Sequence, residues 1–262
     1  MDNNNKKKKV ELTPVSVLHY VRLVYRSALF LTTFILYFAA WLIGKEAIKE
    51  PWINYPFITW LVWGVFMIEM FLRFFPSKLE SPGCQKQFAR NYIKSGEVDI
   101  DIQDNNATML VALIWISFNA VFGALYMAGI FDDGIMVLIS LGYSVCDLIC
   151  ILFFCPFQSW FLKNKCCTTC RIYNWDYAMM FTPLFFVRGF YAWSLFAMSL
   201  ILMLRWEITF YRHPERFSEK TNKYIRCEGC TEKLCAHKNQ LKSLWKKTAE
   251  LTAKKIQFLK EK

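Results

Sequence analysis

Two cysteine pairs, each with two residues between its members, have the clearest capacity for chemistry in this sequence. They are Cys167-Thr-Thr-Cys170 and Cys227-Glu-Gly-Cys230. This spacing lets both sulfurs of a pair face one metal ion, and four thiolates at about 2.3 Å form a tetrahedral zinc site. Thiolates also hold iron–sulfur clusters. With the neighbouring donors included, the candidate metal ligands are Cys166, Cys167, Cys170, Cys227, Cys230, Cys235 and His237.

The ligand types leave the identity of the metal open. Zinc is redox-silent and would fix the tail to the rest of the protein, whereas an iron–sulfur cluster would transfer electrons. The cysteines in excess of four favour a cluster, because structural zinc needs only four ligands. The alternatives are a disulfide or redox-active thiols, if the pairs face an oxidising compartment, and cysteines that bind nothing.

A second group of cysteines lies within an apolar run, in the order Cys146-Asp147-x2-Cys150-x4-Cys155-Pro156. On a continuous helix Cys146 and Cys150 face the same way, and Cys155 lies off that stripe. The Cys-Pro pair resembles the soft-metal motif of heavy-metal-pumping ATPases, and this resemblance covers two residues only. It implies a soft-metal or redox site. The alternative is that these cysteines are small apolar residues that fill helix interfaces.

Three ionisable residues also lie within apolar segments: Glu69, Asp147 and Arg188. An unpaired charge in a membrane is costly, so such residues usually pair or line a polar path. We expect Arg188 to pair with Asp147 or Glu69, either to lock the bundle or to line a path for an ion, a proton or a substrate. The intramembrane polar candidates are therefore Glu69, Asp147, Arg188, Cys146, Cys150 and Cys155.

The elements that must position these residues are membrane helices. The 262-residue chain is 55% hydrophobic and 18% aromatic, which is typical of lipid-facing surfaces with aromatic belts. A spanning helix needs about 20 apolar residues. The sequence predicts an all-α, polytopic membrane helix bundle of four to five apolar segments with a basic, Cys-rich C-terminal tail, the segments being 27–44, 57–75, 107–131, 135–157 and 177–204.

Three regions follow from the distribution of charge. The first is a basic amphipathic N-terminal segment, residues 1–26. The second is the helix bundle, residues 27–204, with a polar loop at 77–106. The third is the basic Cys-rich tail, residues 205–262, with a second amphipathic helix at 236–262. In the first region His19, Arg22 and Arg26 share one side of a helix. The net charge of +11 and the basic termini predict binding to anionic lipid headgroups of the bilayer, and no nucleic acid is expected as a partner.

The charge pattern gives two conflicting topologies. With five spans, residues 1–26, 77–106 and 163–176 share one side and carry 13 Lys and Arg, which predicts a cytoplasmic N-terminus. The tail on the other side carries 15 Lys and Arg, which favours the cytoplasm as well. Both charge counts are satisfied only if one of the five apolar segments does not cross the membrane. The best candidate is 177–204, where Pro183, Arg188 and Gly189 are typical of a broken or re-entrant helix.

The same question decides whether the two CxxC pairs can share a metal. If 177–204 spans the membrane, a helix of about 30 Å separates them. If it is re-entrant, both pairs lie on one side and can form one centre. Topology and metal ligation are therefore a single question.

The first functional hypothesis is an integral membrane redox or electron-transfer subunit with a cysteine-ligated iron–sulfur or zinc centre near the membrane surface and a redox partner protein. The alternatives are a zinc-stapled interaction or assembly protein that binds a partner, a membrane thiol–disulfide oxidoreductase, and a soft-metal or small-solute transporter. A transporter path would be lined by Cys150, Cys155, Asp147 and Arg188. Whether the chain is an enzyme stays open.

Overall fold

The structure is a computed structural model that describes residues 13–43, 56–76, 82–102, 105–162, 169–226 and 228. Its α-helices are α1 (Pro14–Ile43), α2 (Pro56–Leu72), α3 (Pro82–Gln87), α4 (Asn105–Met127), α5 (Asp133–Leu152), α6 (Asp176–Phe181) and α7 (Phe190–Arg212). Short 3-10 helices occur at Ala89–Asn91, Arg171–Trp175, Thr182–Phe185 and Pro214–Arg216, and a π-helical turn at Phe157–Phe161. The described ranges contain no β-strand, only an isolated bridge between Lys94 and Asn222. The predicted all-α class is confirmed for this part of the chain.

Within the described residues, four helices are long and apolar enough to cross a membrane, and they are Pro14–Ala39, Asn105–Met127, Asp133–Leu152 and Phe190–Arg212. The apolar stretch Thr59–Leu72 of α2 is shorter. Large apolar side chains point outward along these helices, and Ile35, Leu113 and Ile201 are each more than half exposed. A surface of this kind suits lipid as its solvent, which agrees with the predicted polytopic membrane bundle.

Helix α1 joins two elements that the sequence pattern separates at residue 26. It runs for 30 residues without a break. Its first turn is capped by Thr13, whose hydroxyl accepts a hydrogen bond from the Ser16 amide at 3.2 Å, and Pro14 occupies the first helical position, where no amide donor is needed. The amphipathic segment and the first apolar segment are therefore one helix.

Helices α1 and α5 pack antiparallel. The Arg26 guanidinium donates to the Ser144 carbonyl at 3.3 Å, and the Tyr37 hydroxyl donates to Asp132 at 2.9 Å. Asp132 also caps α5 by accepting from the Ile135 amide at 2.9 Å. The end of the bundle at which α1 begins and α5 ends is called the polar end below.

Helix α4 packs against α5, and the two run antiparallel to one another. The Trp115 and Tyr143 rings are 4.6 Å apart, and the Tyr126 hydroxyl donates to Asp133 at 2.7 Å near the end opposite the polar end. Helix α4 therefore begins at the polar end, next to the loop that precedes it.

The segment 176–212 enters the bundle from the polar end and returns to it. Helix α6 begins at Asp176 beside Arg73, the residue that follows α2. Ten residues later the Phe186 ring packs against Gly123, close to the opposite end, where a Cβ on Gly123 would lie 2.2 Å from that ring. The chain reverses at Gly189, whose φ of +149° suits glycine, and α7 runs back to the polar end.

Of the two arrangements that the sequence allowed for 177–204, this path is the broken, re-entrant one, with the break at Gly189. The first half is a short, irregular and buried descent, in which Tyr177, Met180, Phe181 and Leu184 are each less than 5% exposed. The second half belongs to α7, which is long enough to span. The descent uses 3-10 turns and Pro183 where a regular helix would continue. Because α7 returns the chain to the end from which it entered, residues 169–175 and 213–226 both lie at the polar end.

Candidate functional site

An ion pair joins the two flanks of the re-entrant segment. The Arg171 Nε donates to both carboxylate oxygens of Glu207, at 3.0 and 3.1 Å. The Trp175 indole donates to the same carboxylate at 2.7 Å, and the Tyr211 hydroxyl accepts from Arg171 at 3.1 Å. Burial acts to lower the pKa of Arg171, but its hydrogen bonds to Glu207 and Tyr211 outweigh burial and raise the pKa above the usual value. This cation therefore stays charged.

The two flanks also contact adjacent residues of the segment 82–102. The Asn174 amide donates to the Gln87 side chain at 2.9 Å, and the Asn222 amide donates to the Lys86 carbonyl at 3.1 Å. Asn174 is four residues after Cys170, and Asn222 is five residues before Cys227. The chain next to each cysteine cluster is thus hydrogen-bonded to neighbouring residues of the segment 82–102.

Further contacts hold residues 213–226 against the segment 82–102. The Lys223 amide donates to the Ile93 carbonyl at 2.8 Å, and the Ser95 amide donates to the Thr221 carbonyl at 3.0 Å. On the surface Lys220 pairs with Asp99 at 2.5 Å, and this hydrogen bond raises the pKa of Lys220 above its usual value. The polar end is therefore an ordered layer of three chain segments.

Most of the predicted metal ligands lie outside the described residues, namely Cys166, Cys167, Cys227, Cys230, Cys235 and His237. The predicted helix 236–262 also lies outside them. Of the candidate set the structure places Cys170, which is buried at the polar end. Among the described residues no group of three or more His, Cys, Asp or Glu is arranged to hold a metal ion.

Glu69 is the centre of a buried ion-pair network between α1 and α2. Its two carboxylate oxygens accept from Arg22 at 3.0 Å and Arg26 at 2.6 Å. The hydroxyls of Tyr25 and Tyr177 donate to the same carboxylate at 2.8 and 3.0 Å. Every lone pair of the buried carboxylate thus has a donor, which is the condition for keeping a charge in an apolar interior.

A second buried pair joins α2 to the start of α6. Arg73 lies 2.6 Å from Asp176, and its guanidinium also lies over the Tyr177 ring at 4.5 Å. Asp147 on α5 is 3.7 Å from Arg26. His19 is 1% exposed, and neither ring nitrogen has a hydrogen-bond partner within the described part of the chain.

The expected pairing of Arg188 with Glu69 or Asp147 is wrong. Arg188 lies in the turn before α7 at the end opposite the polar end, where its side chain is exposed. The true partners, Arg22 and Arg26, are on α1, where the periodicity predicted a surface-facing side. Arg22 and Arg26 are four residues apart in a run that continues into an apolar helix, and this spacing is the signal that could have found them.

A cavity of about 110 Å³ lies between α5, α6 and the chain that joins them. Six of the residues that line it contain sulfur, and they are Cys146, Cys150, Cys155, Cys170, Met179 and Met180. The four cysteines carry reduced thiols. Asp147 and Asp176 line the same cavity, with aromatic walls from Trp115 and Tyr143. The cavity is called the sulfur-lined cavity below.

The end of α5 brings Cys150 and Cys155 together. The helix ends at Leu152, so Cys155 and Pro156 lie beyond it, not within a membrane helix as the sequence pattern suggested. The chain folds back there, and the side chains of Cys150 and Cys155 are within hydrogen-bonding contact. The Cys155 sulfur also accepts from the Gln158 amide at 3.4 Å. The sequence analysis did not predict the contact between Cys150 and Cys155, because it placed both residues on one continuous helix.

No protein-family model, curated protein or solved structure matches this chain. The function is therefore argued from the geometry of the polar end and of the sulfur-lined cavity.

Proposed function

We propose that the protein is an integral membrane redox or electron-transfer subunit whose cysteine-ligated metal centre lies at the polar end of the bundle. The ligands are drawn from the two clusters at residues 166–170 and 227–237. The observation that carries this proposal is the return of the segment 176–212 to the end at which it entered. A single spanning helix between the clusters would have made a shared centre impossible.

The contacts of both flanks support a shared centre. Arg171, the residue after Cys170, is ion-paired with Glu207. Arg226, the residue before Cys227, donates to the Lys220 carbonyl at 2.7 Å and to Glu97 at 2.8 Å. Both clusters therefore begin or end at residues anchored in one layer. Four thiolates need to converge to within about 2.3 Å of a metal, and a fixed layer lowers the entropy cost of that convergence.

The excess of donors favours an iron–sulfur cluster over zinc. The clusters together supply six cysteines and one histidine, whereas a structural zinc site uses four ligands. A redox partner protein would dock on the polar end.

We also propose an orientation, which the same geometry supports. The described residues 13–26, 82–102, 169–175 and 213–226 all lie at the polar end, so both basic termini attach to the chain there. The conflict between the two charge counts then disappears. We place the polar end in the cytoplasm, where Lys and Arg concentrate and where anionic headgroups attract basic segments.

The test is the metal content and absorption spectrum of the full-length protein purified without oxygen in detergent. The proposal predicts iron with sulfide and a visible absorption that bleaches on reduction. The matched control is Cys84→Ser, which removes a cysteine outside both clusters and should change neither. Zinc without iron would contradict the redox role and favour the zinc-stapled assembly protein, and a colourless protein free of both metals would contradict the metal centre.

A further inference from the structure

The sulfur-lined cavity supplies a set of sulfur residues that overlaps the candidate ligands of the polar end only at Cys170. Six sulfur side chains face it, and four of them are thiols. Thiolates and thioethers are soft ligands that select Cu(I) over harder divalent ions. We propose that this cavity binds one soft monovalent metal ion of the Cu(I) class, with Cys150 and Cys155 as its two thiolate ligands. This proposal does not depend on the metal centre proposed above.

The geometry at the end of α5 selects this pair. Cys150 and Cys155 are in side-chain contact, so both sulfurs can reach one ion with little movement. The Gln158 amide donates to the Cys155 sulfur at 3.4 Å. This hydrogen bond fixes the position of the Cys155 sulfur beside Cys150.

The remaining sulfur donors surround the pair. Met179 and Met180 come from the buried start of the re-entrant segment, and Cys146 comes from α5. The two methionine thioethers are neutral, so they can complete the coordination of a monovalent ion without adding charge. They are also too weak as ligands to hold a hard divalent ion.

The carboxylates of the cavity are engaged elsewhere. Asp147 lies 3.7 Å from Arg26, and Asp176 lies 2.6 Å from Arg73. Within the described residues no three His, Cys, Asp or Glu side chains converge on one point. Zinc needs three or four such ligands. A two-thiolate site is therefore unsuited to zinc but is sufficient for an ion that accepts two ligands.

The binding reaction balances simply. Two neutral thiols bind one monovalent cation and release two protons, and no electron is transferred. Because ligands must lose protons, apparent affinity rises with pH. The surroundings are apolar and aromatic, with Trp115, Tyr143 and Phe157 in the wall. They exclude water and thereby protect a bound Cu(I) from oxidation.

The experiment uses the full-length, reduced protein in detergent without oxygen. Cu(I) is added to saturation in the presence of bicinchoninate as a competing chelator, and exposed thiols are then alkylated with iodoacetamide and located by peptide mass spectrometry. The proposal predicts that Cu(I) abolishes the alkylation of Cys150 and Cys155 that is seen without metal. Unchanged alkylation of both cysteines at copper saturation would overturn it.

Variants give a second readout that does not rely on thiol reactivity. The double variant Cys150→Ser, Cys155→Ser should lose one copper equivalent per chain, while Cys84→Ser should retain the wild-type amount. If the double variant binds as much copper as the wild type, the proposal is wrong. Iron and zinc in the two forms are measured in parallel, because loss of copper with retained iron separates this site from the centre at the polar end.

Discussion

Arg171 and Glu207 form a hydrogen-bonded ion pair at the polar end, where the re-entrant segment enters and leaves the bundle. The two residues are 36 positions apart, and the intervening chain runs into the bundle and back. Their side chains are 9% and 17% exposed. The pair therefore joins the chain after the first cysteine cluster to the helix that leads to the second.

Removing the Glu207 carboxylate should weaken this closure. In Glu207→Gln the Arg171 cation stays mostly buried without its counter-charge, and breaking a buried pair in this way costs about 3 kcal/mol. We expect a lower Tm in detergent, measured by the fluorescence of the native tryptophans. Asp99→Asn breaks the exposed pair with Lys220 and should leave the Tm unchanged. Equal Tm values for Glu207→Gln and the wild type would contradict the role of the pair.

The placement of both flanks at one end predicts side-specific labelling. Lys94 and Lys223 are exposed and lie on either side of one bridge between the segments 82–102 and 213–226. A membrane-impermeant amine reagent added to intact cells should leave both unmodified, and permeabilised cells should show both modified. The variant Ile130→Lys places a reporter at an exposed position of the opposite end and should react in intact cells. Modification of Lys94 and Lys223 from different sides would exclude the re-entrant path.

Glu69 should be the most sensitive carboxylate of the bundle. Glu69→Gln keeps the shape of the side chain but leaves Arg22 and Arg26 without their main counter-charge. We expect a loss of stability of about 3–5 kcal/mol, the usual cost of an uncompensated buried charge. The measurement is the Tm or, where the variant does not accumulate, the yield of folded protein.

The matched control for Glu69 is Arg188→Gln. Arg188 is exposed in the turn at the opposite end, so this change should alter the Tm little. If Arg188→Gln were as damaging as Glu69→Gln, the pairing that the sequence pattern suggested would have to be reconsidered.

The close contact between Gly123 and Phe186 fixes the depth of the re-entrant segment. A Cβ at position 123 would lie 2.2 Å from the Phe186 ring, so Gly123→Ala should force the ring to move. Overpacking of this kind costs about 1–3 kcal/mol. Gly64→Ala is the matched control, because a Cβ there meets nothing within 4 Å in the described structure. It should be neutral or raise the Tm, since alanine favours a helix. The opposite order of the two Tm values would contradict this packing.

The helices of the bundle could be predicted from sequence because each apolar run is long and its ends carry clear signals. The Asp132-Asp133-Gly134 turn separates α4 from α5, and Asp132 caps the second of them as such residues do. The sequence does not predict that α1 is one helix from Pro14 onward, because the spacing of Arg22 and Arg26 is typical of the polar side of an amphipathic segment. Their burial depends on Glu69, a partner 43 or more residues away, and hydrophobic periodicity contains no information about such a pairing.

The sequence predicts which residues belong to the candidate sites, but it does not predict which of them lie close together. Cysteine spacing identified both clusters and the Cys146, Cys150, Cys155 group. The contact between Cys150 and Cys155 arises because α5 ends at Leu152, and the shared end of residues 169–175 and 213–226 arises from a reversal at Gly189. Both depend on where a helix stops within an apolar run, and apolar composition alone does not fix that point.

The most direct test of the shared centre compares the iron content of two double variants of the full-length protein. They are Cys167→Ser, Cys170→Ser and Cys227→Ser, Cys230→Ser. Because the re-entrant path brings the chain next to each cluster to the polar end, we predict that either double variant loses all of the iron and visible absorption of the wild type. Retention of a distinct part of the metal in each variant would mean two separate sites and would contradict a shared centre.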